Sequence, residues 1–265
     1  MEFRTIVSMP EPDFRIEPLE PILFVGSCFA DNIGQRFREE CFPVVVNPYG
    51  VMYNPVSVLH TVLRCEMAPR LAFITLGTNH VYRLKETGEI VDNCQKRPQQ
   101  LFQEETLSVE QCVEALTDCV NCLRSRNPEA RVIFTVSPIR YAKYGFHESQ
   151  LSKATLLLAV DRLLSSSGVC YFPAYEIMLD ELRDYRFYQP DMLHPSQQAV
   201  EYIWQQMVET YFGDRAKQFL REWRPIKEAL AHRPFHPESD DYQKFLAATR
   251  EKERILLSRY ARANL

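Results

Sequence analysis

Residues 22–31 read ILFVGSCFAD. Ile22 to Val25 form a short, continuous apolar run bounded by Pro21 and Gly26, the pattern of a strand buried on both faces. Beyond it, Phe29, Ile33, Phe37 and Cys41 recur every fourth residue, which predicts a helix face over 29–41. A hydroxyl on Ser27 and a thiol on Cys28 therefore stand side by side where a strand ends and a helix begins. This strand-turn-helix unit sets the fold class, because the rest of the chain repeats it.

VVV (44–46) is β-branched and stops at NPYG, so it reads as a second strand. A short helix over 56–65 precedes a third strand, LAFITL (71–76), which ends at Gly77. Residues 80–91 alternate weakly around Thr87-Gly88 and read as a hairpin. Ser108 and Gln111 form a capping box. It opens a helix with Val109, Cys112, Val113, Leu116, Cys119, Val120 and Leu123 on one stripe. VIFTV (132–136), a helix over 152–165, the strand VCYF (169–172) and a helix from about 197 to 211 complete the series. Strands alternating with helices predict an α/β fold of three layers, α/β/α, around a mostly parallel sheet of about five strands. Residues 1–213 are assigned to this domain. Residues 214–265 are charged, lack strand patterns and read as a C-terminal helical extension. Pro225, Pro234 and Pro237 divide it, and 239–263 forms its last helix.

Of the 265 residues, 46% are apolar and 25% charged, and the net charge is −4. That balance gives no reason to expect a nucleic-acid or anionic-membrane partner. MEFRTIVSMPEPDF contains no basic segment followed by an apolar one, so no secretory signal is read there. The longest apolar stretches, such as ATLLLAV, are too short to span a bilayer. Eight cysteines in a leaderless chain are expected to stay reduced in the cytoplasm, mainly as small core residues. Cys119 and Cys122 form a CxxC inside the capped helix with no second such pair, and core packing is the expectation there too.

Parallel sheets place their sites beyond the carboxyl ends of the strands. Gly26, Gly50 and Gly77, three of only eight glycines, follow the first three strands. Glycine there permits positive φ or close approach of the backbone to a ligand. Asp191-Met192-Leu193-His194-Pro195-Ser196 follows the last strand, and Pro195 keeps His194 out of α conformation. An Asp and a His three apart on a fixed turn suit a base and its orienting acid. Arg183, Tyr185, Arg186 and Tyr188 crowd the preceding loop, and Ser137 and Arg140 end the fourth strand. His60 reads as structural, and His232 and His236 as solvated.

GSCFA (26–30) resembles the signature of the GSCFA family, a branch of the SGNH or GDSL-like hydrolases. The resemblance continues through NPYGVMYNP (47–55), TLGTNHVY (75–82), NCQKRP (93–98), TVSPIR (135–140), YFPAYEIMLDELRDYRFY (171–188) and DMLHPS (191–196). It covers most of residues 20–210. It implies an SGNH-like domain and a serine esterase, with Ser27 as nucleophile, His194 as general base and Asp191 as its acid. It implies an oxyanion hole from the Ser27 and Gly50 N–H groups and the Asn79 side chain. Cys28, His80, Asn93, Ser137 and Arg140 would face the substrate, a small-molecule or carbohydrate ester. No cofactor and no metal are implied. Two departures stand out. His80 replaces the family block's usual Asp, and Gly-Asp-Ser has become Gly-Ser-Cys. Counting from the glycine favours Cys28 as the reactive residue, whereas the GSCFA pattern favours Ser27. An O-acyltransferase, or a binding protein on a decayed hydrolase fold, are the competing expectations.

Overall fold

The structure, a computed structural model, describes residues 4–92, 94 and 97–262. In chain order the first half runs β1 (Ile22–Gly26), α1 (Cys28–Glu39), β2 (Val44–Val46), α2 (Pro55–Arg64), β3 (Leu71–Leu76), β4 (His80–Leu84), β5 (Ile90–Val91) and β6 (Phe102–Thr106). It continues with α3 (Val109–Arg126), β7 (Arg131–Val136), α4 (Phe146–Leu163), β8 (Val169–Tyr171), the short α5 (Ala174–Glu176), α6 (Gln197–Tyr211), α7 (Asp214–Ala231) and α8 (Asp240–Arg262).

Five strands pair in the order β2-β1-β3-β7-β8, each neighbour parallel. The expected α/β fold is thus present: a parallel sheet with helices on both faces. Successive residues of β1 serve opposite layers. Ile22 and Phe24 pack with Phe29, Ile33 and Phe37 of α1 and with Ile203 and Met207 of α6. Leu23 and Val25 pack with Val58 and Val62 of α2, Leu116 and Cys119 of α3, and Leu156 and Val160 of α4. Each such large apolar side chain contributes about 1.5–3 kcal/mol when fully buried. The chain leaves β1 for β2 on one side and returns to β3 on the other. A crevice therefore opens between the carboxyl ends of β1 and β3, the place where such sheets bind ligands.

Four elements differ from the sequence reading. The region after β3 is a three-stranded antiparallel sheet, β5-β4-β6, rather than a hairpin alone. Its third strand, FQEET, is polar and mostly exposed and carries little strand signal. Helix α1 begins at Cys28, one residue earlier than its apolar stripe. Helix α4 begins at Phe146, behind Gly145 at φ +84, six residues before its apolar stretch. Pro225 sits inside α7 without ending it. It is exposed, so the carbonyl it leaves without a donor faces solvent, while Trp223 and Ile226 hold the helix on the core.

The C-terminal helices share the core of the sheet domain. Trp223 Nε1 donates to the Glu39 carbonyl at 2.9 Å, and Lys227 pairs with Glu40 at 2.6 Å. Leu256 and Tyr260 of α8 are buried in the same cluster as Phe219. All eight cysteines are free thiols, with Cys112 and Cys119 fully buried in the α3 interface. Among the described residues no helix is long and apolar enough to cross a membrane.

Candidate active site

Gly26 closes β1 at φ +139, and a Cβ there would lie 2.0 Å from the Thr75 carbonyl oxygen. Only glycine lets β1 run this close to β3. The Gly26 N–H donates to Asn47 Oδ1 at 2.8 Å, and Asn47 Nδ2 donates to Asp31 Oδ1 at 2.8 Å. The turn is thus fixed from two sides before Ser27 is reached.

Ser27 is the N-cap of α1, with extended backbone at φ −66 and ψ 173. Its Oγ accepts from the Phe29 N–H at 3.3 Å and lies 3.0 Å from Thr75 Oγ1. Its own N–H donates to Thr75 Oγ1 at 2.9 Å and to the Thr75 carbonyl at 3.1 Å. The residue is 1% exposed. Both its hydroxyl and its N–H are engaged in joining β1 to β3. Cys28 follows as the first residue of α1 and is half-buried. Burial pushes its thiol up and Asp31 adds to this, whereas Lys153 pulls it down.

The remaining oxyanion candidates are structural in their contacts. The Gly50 N–H donates to the Asn47 carbonyl at 2.9 Å inside an exposed turn with Gly50 at φ +95. Asn79 is 5% exposed, and its amide Nδ2 donates to the Leu107 carbonyl at 2.8 Å. Its backbone N–H donates to Ser152 Oγ at 2.9 Å. Both residues pin loops to neighbouring elements. Asn93 lies outside the described residues.

The late block brings Asp191 and His194 together. Asp191 Oδ2 accepts from His194 Nδ1 at 2.6 Å, and Asp191 Oδ1 accepts the N–H groups of Leu193 and His194 at 2.8 and 3.0 Å. The two backbone donors and then the imidazole hold the Asp191 carboxyl down at about 2. The turn is tight, with Met192 at φ +59, and it is clamped from outside. The Arg140 N–H donates to the Leu193 carbonyl at 3.1 Å, and Arg140 Nη1 donates to the Met192 carbonyl at 3.0 Å. The Arg140 guanidinium also lies over the rings of Phe146, Tyr185 and Tyr188. With Nδ1 on the carboxylate, Nε2 is the nitrogen left for a proton. Among the described residues it makes no hydrogen bond, and neither Ser27 nor Cys28 bonds to it.

An aromatic row lies along the same sheet edge. Tyr53, Tyr141 and Tyr144 follow one another at centroid distances of 6.4 and 5.8 Å, and His80 stacks on Tyr144 at 4.0 Å. Burial lowers His80 from its ordinary value. Beside Arg140 opens a cavity of about 390 Å³, lined by Gln150, Met178, Leu182, Tyr185 and Tyr188; neither Cys28 nor His194 reaches its wall. Ser137 is fully buried beneath this edge. Its carbonyl and that of Gly77 accept from Lys153 Nζ at 2.9 and 2.7 Å. Sequence reasoning passed over Lys153, which stands in a stretch read only as a helix over 152–165. Among the described residues no group of three or more His, Cys, Asp or Glu side chains is arranged to hold a metal ion.

Solved structures share this architecture at low identity. A candidate GDSL-like lipase from Parabacteroides merdae superposes with a TM-score of 0.50 at 12% identity, over 75% of this chain and 98% of its own. A member of the lipolytic G-D-S-L family from Veillonella parvula gives 0.46 at 12% identity, over 72% and 97%. A mutant acetyl esterase with an acetate ion gives 0.45 at 12%, over 76% and 98%. No curated protein matches the sequence. The sheet order, together with the first of these likenesses, defines the class: an α/β/α protein of the SGNH, or GDSL-like, fold. Within that class, the GSCFA family profile matches residues 21–68 and 65–207, and that of the GSCFA domain protein, C-terminal domain, matches 223–265. The chain belongs to the GSCFA family.

Proposed function

We propose that this protein is a hydrolase of ester bonds in which Cys28, rather than Ser27, is the nucleophile. His194 is its base and Asp191 orients that base. The observation that carries the assignment is the contrast within one turn. Ser27 is buried with its hydroxyl and N–H both engaged by Thr75, whereas Cys28 is half-buried at the helix N-terminus. That register also matches Gly-Ser-Cys to Gly-Asp-Ser by counting from the glycine.

In the proposed reaction the Cys28 thiol gives its proton to His194 Nε2 as its sulfur attacks the ester carbonyl carbon. The first N–H groups of a helix have no intrahelical partner, and the Cys28 N–H stands ready for the oxygen that becomes negative. The C–O bond then breaks, and the alcohol leaves with a proton from His194 Nε2. Water, deprotonated by the same nitrogen, cleaves the thioester and restores the thiol. Asp191 keeps the proton of Nδ1 in place throughout, so Nε2 is the working nitrogen.

Hydrolysis of p-nitrophenyl acetate, with intact-mass detection of the acyl-enzyme, tests this reading. Cys28→Ala is expected to abolish both signals, and His194→Ala to lower turnover by about 10²–10⁴-fold. Full turnover in Cys28→Ala would refute the assignment. A second reading, a non-catalytic binding protein, draws support from the engagement of the Gly50 N–H and the Asn79 amide in structural bonds. It is favoured if the folded wild type neither turns over esters nor forms an acyl-enzyme. An O-acyltransferase would share the first half-reaction and release the acyl group to an added alcohol.

A further inference from the structure

We propose that Arg140 is a positioning residue for His194: it grips from outside the same two peptide units that Asp191 grips from within. The inference rests on the reading of His194 as the base and names what aims it.

The turn from Asp191 to His194 lies at the surface, with Asp191 and Met192 exposed and Leu193 and His194 half-buried. Met192 stands at φ +59, a region that a residue with a Cβ adopts only at a cost. The shape of the turn therefore depends on its hydrogen bonds. In the Met192–Leu193 peptide unit, the N–H donates to Asp191 Oδ1 at 2.8 Å and the carbonyl accepts from Arg140 Nη1 at 3.0 Å. In the Leu193–His194 unit, the N–H donates to the same Oδ1 at 3.0 Å and the carbonyl accepts the Arg140 N–H at 3.1 Å. The next carbonyl, that of His194, accepts the Gln189 N–H at 2.8 Å. Peptide units are rigid planes. With the planes on both sides of its Cα held, His194 has its backbone angles fixed, and with them the direction in which the imidazole leaves the chain.

Arg140 can hold the turn because it is itself held. Ile139, just before it, is buried in the core, and the Ser137 N–H prolongs the pairing of β7 with β3 by donating to the Leu76 carbonyl at 2.8 Å. The guanidinium lies 4.1 Å from the centre of the Phe146 ring and 5.9 and 5.7 Å from those of Tyr185 and Tyr188. A guanidinium is planar and always charged, so it stacks on rings while its N–H groups reach acceptors around its edge. The turn that carries the base is thereby tied to the end of a central strand as well as to its own loop. The resemblance implies an Arg140 that faces substrate; the geometry gives its backbone N–H and one guanidinium N–H to the turn.

The test is Arg140→Met in the full-length protein, which removes the Nη1 donor and keeps the backbone N–H. The His194 Nδ1–H resonance is read by NMR at neutral pH, and kcat and KM are measured separately with p-nitrophenyl acetate. A loosened turn seats the imidazole less firmly on Asp191, so the resonance is expected to broaden or vanish. The expected fall in kcat is roughly 10–100-fold, with KM within about twofold of wild type. Arg140→Lys, which keeps the cation but not the planar fork, is expected to restore part of both signals. A raised KM at unchanged kcat overturns the inference, because Arg140 would then bind substrate. An unmoved resonance in folded Arg140→Met also overturns it, whatever the change in Tm, because the bonds would then serve stability alone. If Arg140→Met does not fold, Arg140→Lys is read against wild type in the same way: a weakened resonance with lowered kcat supports the inference, and wild-type values overturn it. The resonance needs no turnover, so the two proposals fail separately. A wild type without turnover defeats the functional reading, and the resonance alone then decides whether Arg140 holds the imidazole.

Discussion

Replacing Ser27 with Ala separates a structural serine from a catalytic one, and its cost can be worked out bond by bond. The substitution removes the N-cap bond from the Phe29 N–H, worth about 1 kcal/mol. It also removes the hydroxyl contact with Thr75 Oγ1, a net contribution of about 0.5–1.5 kcal/mol. The backbone bonds from the Ser27 N–H to Thr75 survive, so Cys28 keeps its position. The expected loss is therefore about 1.5–2.5 kcal/mol. For a chain of this size that lowers Tm by about 3–10 °C. Calorimetry or thermal circular dichroism reads the loss, and p-nitrophenyl acetate hydrolysis well below the new Tm reads the chemistry. Ser27→Ala should be less stable yet active within a few-fold of wild type. A variant with unchanged Tm and no turnover would refute the reasoning, because it would mean that the hydroxyl meets substrate rather than Thr75.

Three further outcomes follow from named contacts. Gly26→Ala places a Cβ 2.0 Å from the Thr75 carbonyl at φ +139, so a loss of at least about 3 kcal/mol is expected in urea denaturation. Near-wild-type stability would mean that β1 and β3 separate easily there. Asp191→Asn should lower turnover by about 10²-fold or more, with the fold retained. The wild-type Asp191 carboxyl is depressed, so its bonds are fully present above its unfolded value near 4 and are lost as pH falls through about 2. The His194 Nδ1–H resonance should accordingly persist at pH 4 and disappear toward pH 2. Trp223→Ala removes a buried ring and the bond to the Glu39 carbonyl, at about 3–5 kcal/mol, measured by denaturant unfolding of the full chain.

The parallel strands were legible because each is a continuous apolar run, and β1, β3 and β7 are buried almost throughout. The Asp191–His194 pair was legible because a spacing of three residues and a following proline fix a turn locally. β6 was hidden because a polar edge strand takes its pairing from β4 and not from its own pattern. The choice between Ser27 and Cys28 was hidden for a deeper reason. It depends on Thr75, on a strand 48 residues away, which engages the serine.

One physical rule connects these cases. Where a parallel ladder ends, backbone groups just beyond it lose their partners and must find others. The Gly26 N–H takes the Asn47 side chain, the Ser27 N–H takes Thr75, and the Gly77 and Ser137 carbonyls take Lys153. Polar residues therefore collect at this edge for structural reasons before any chemistry is considered. A serine or an asparagine found there is as readily a partner for backbone as a catalyst. The groups left for chemistry are those the edge does not consume. In the proposed mechanism these are the Cys28 thiol, half-buried at the start of α1, and His194 Nε2, which makes no hydrogen bond among the described residues.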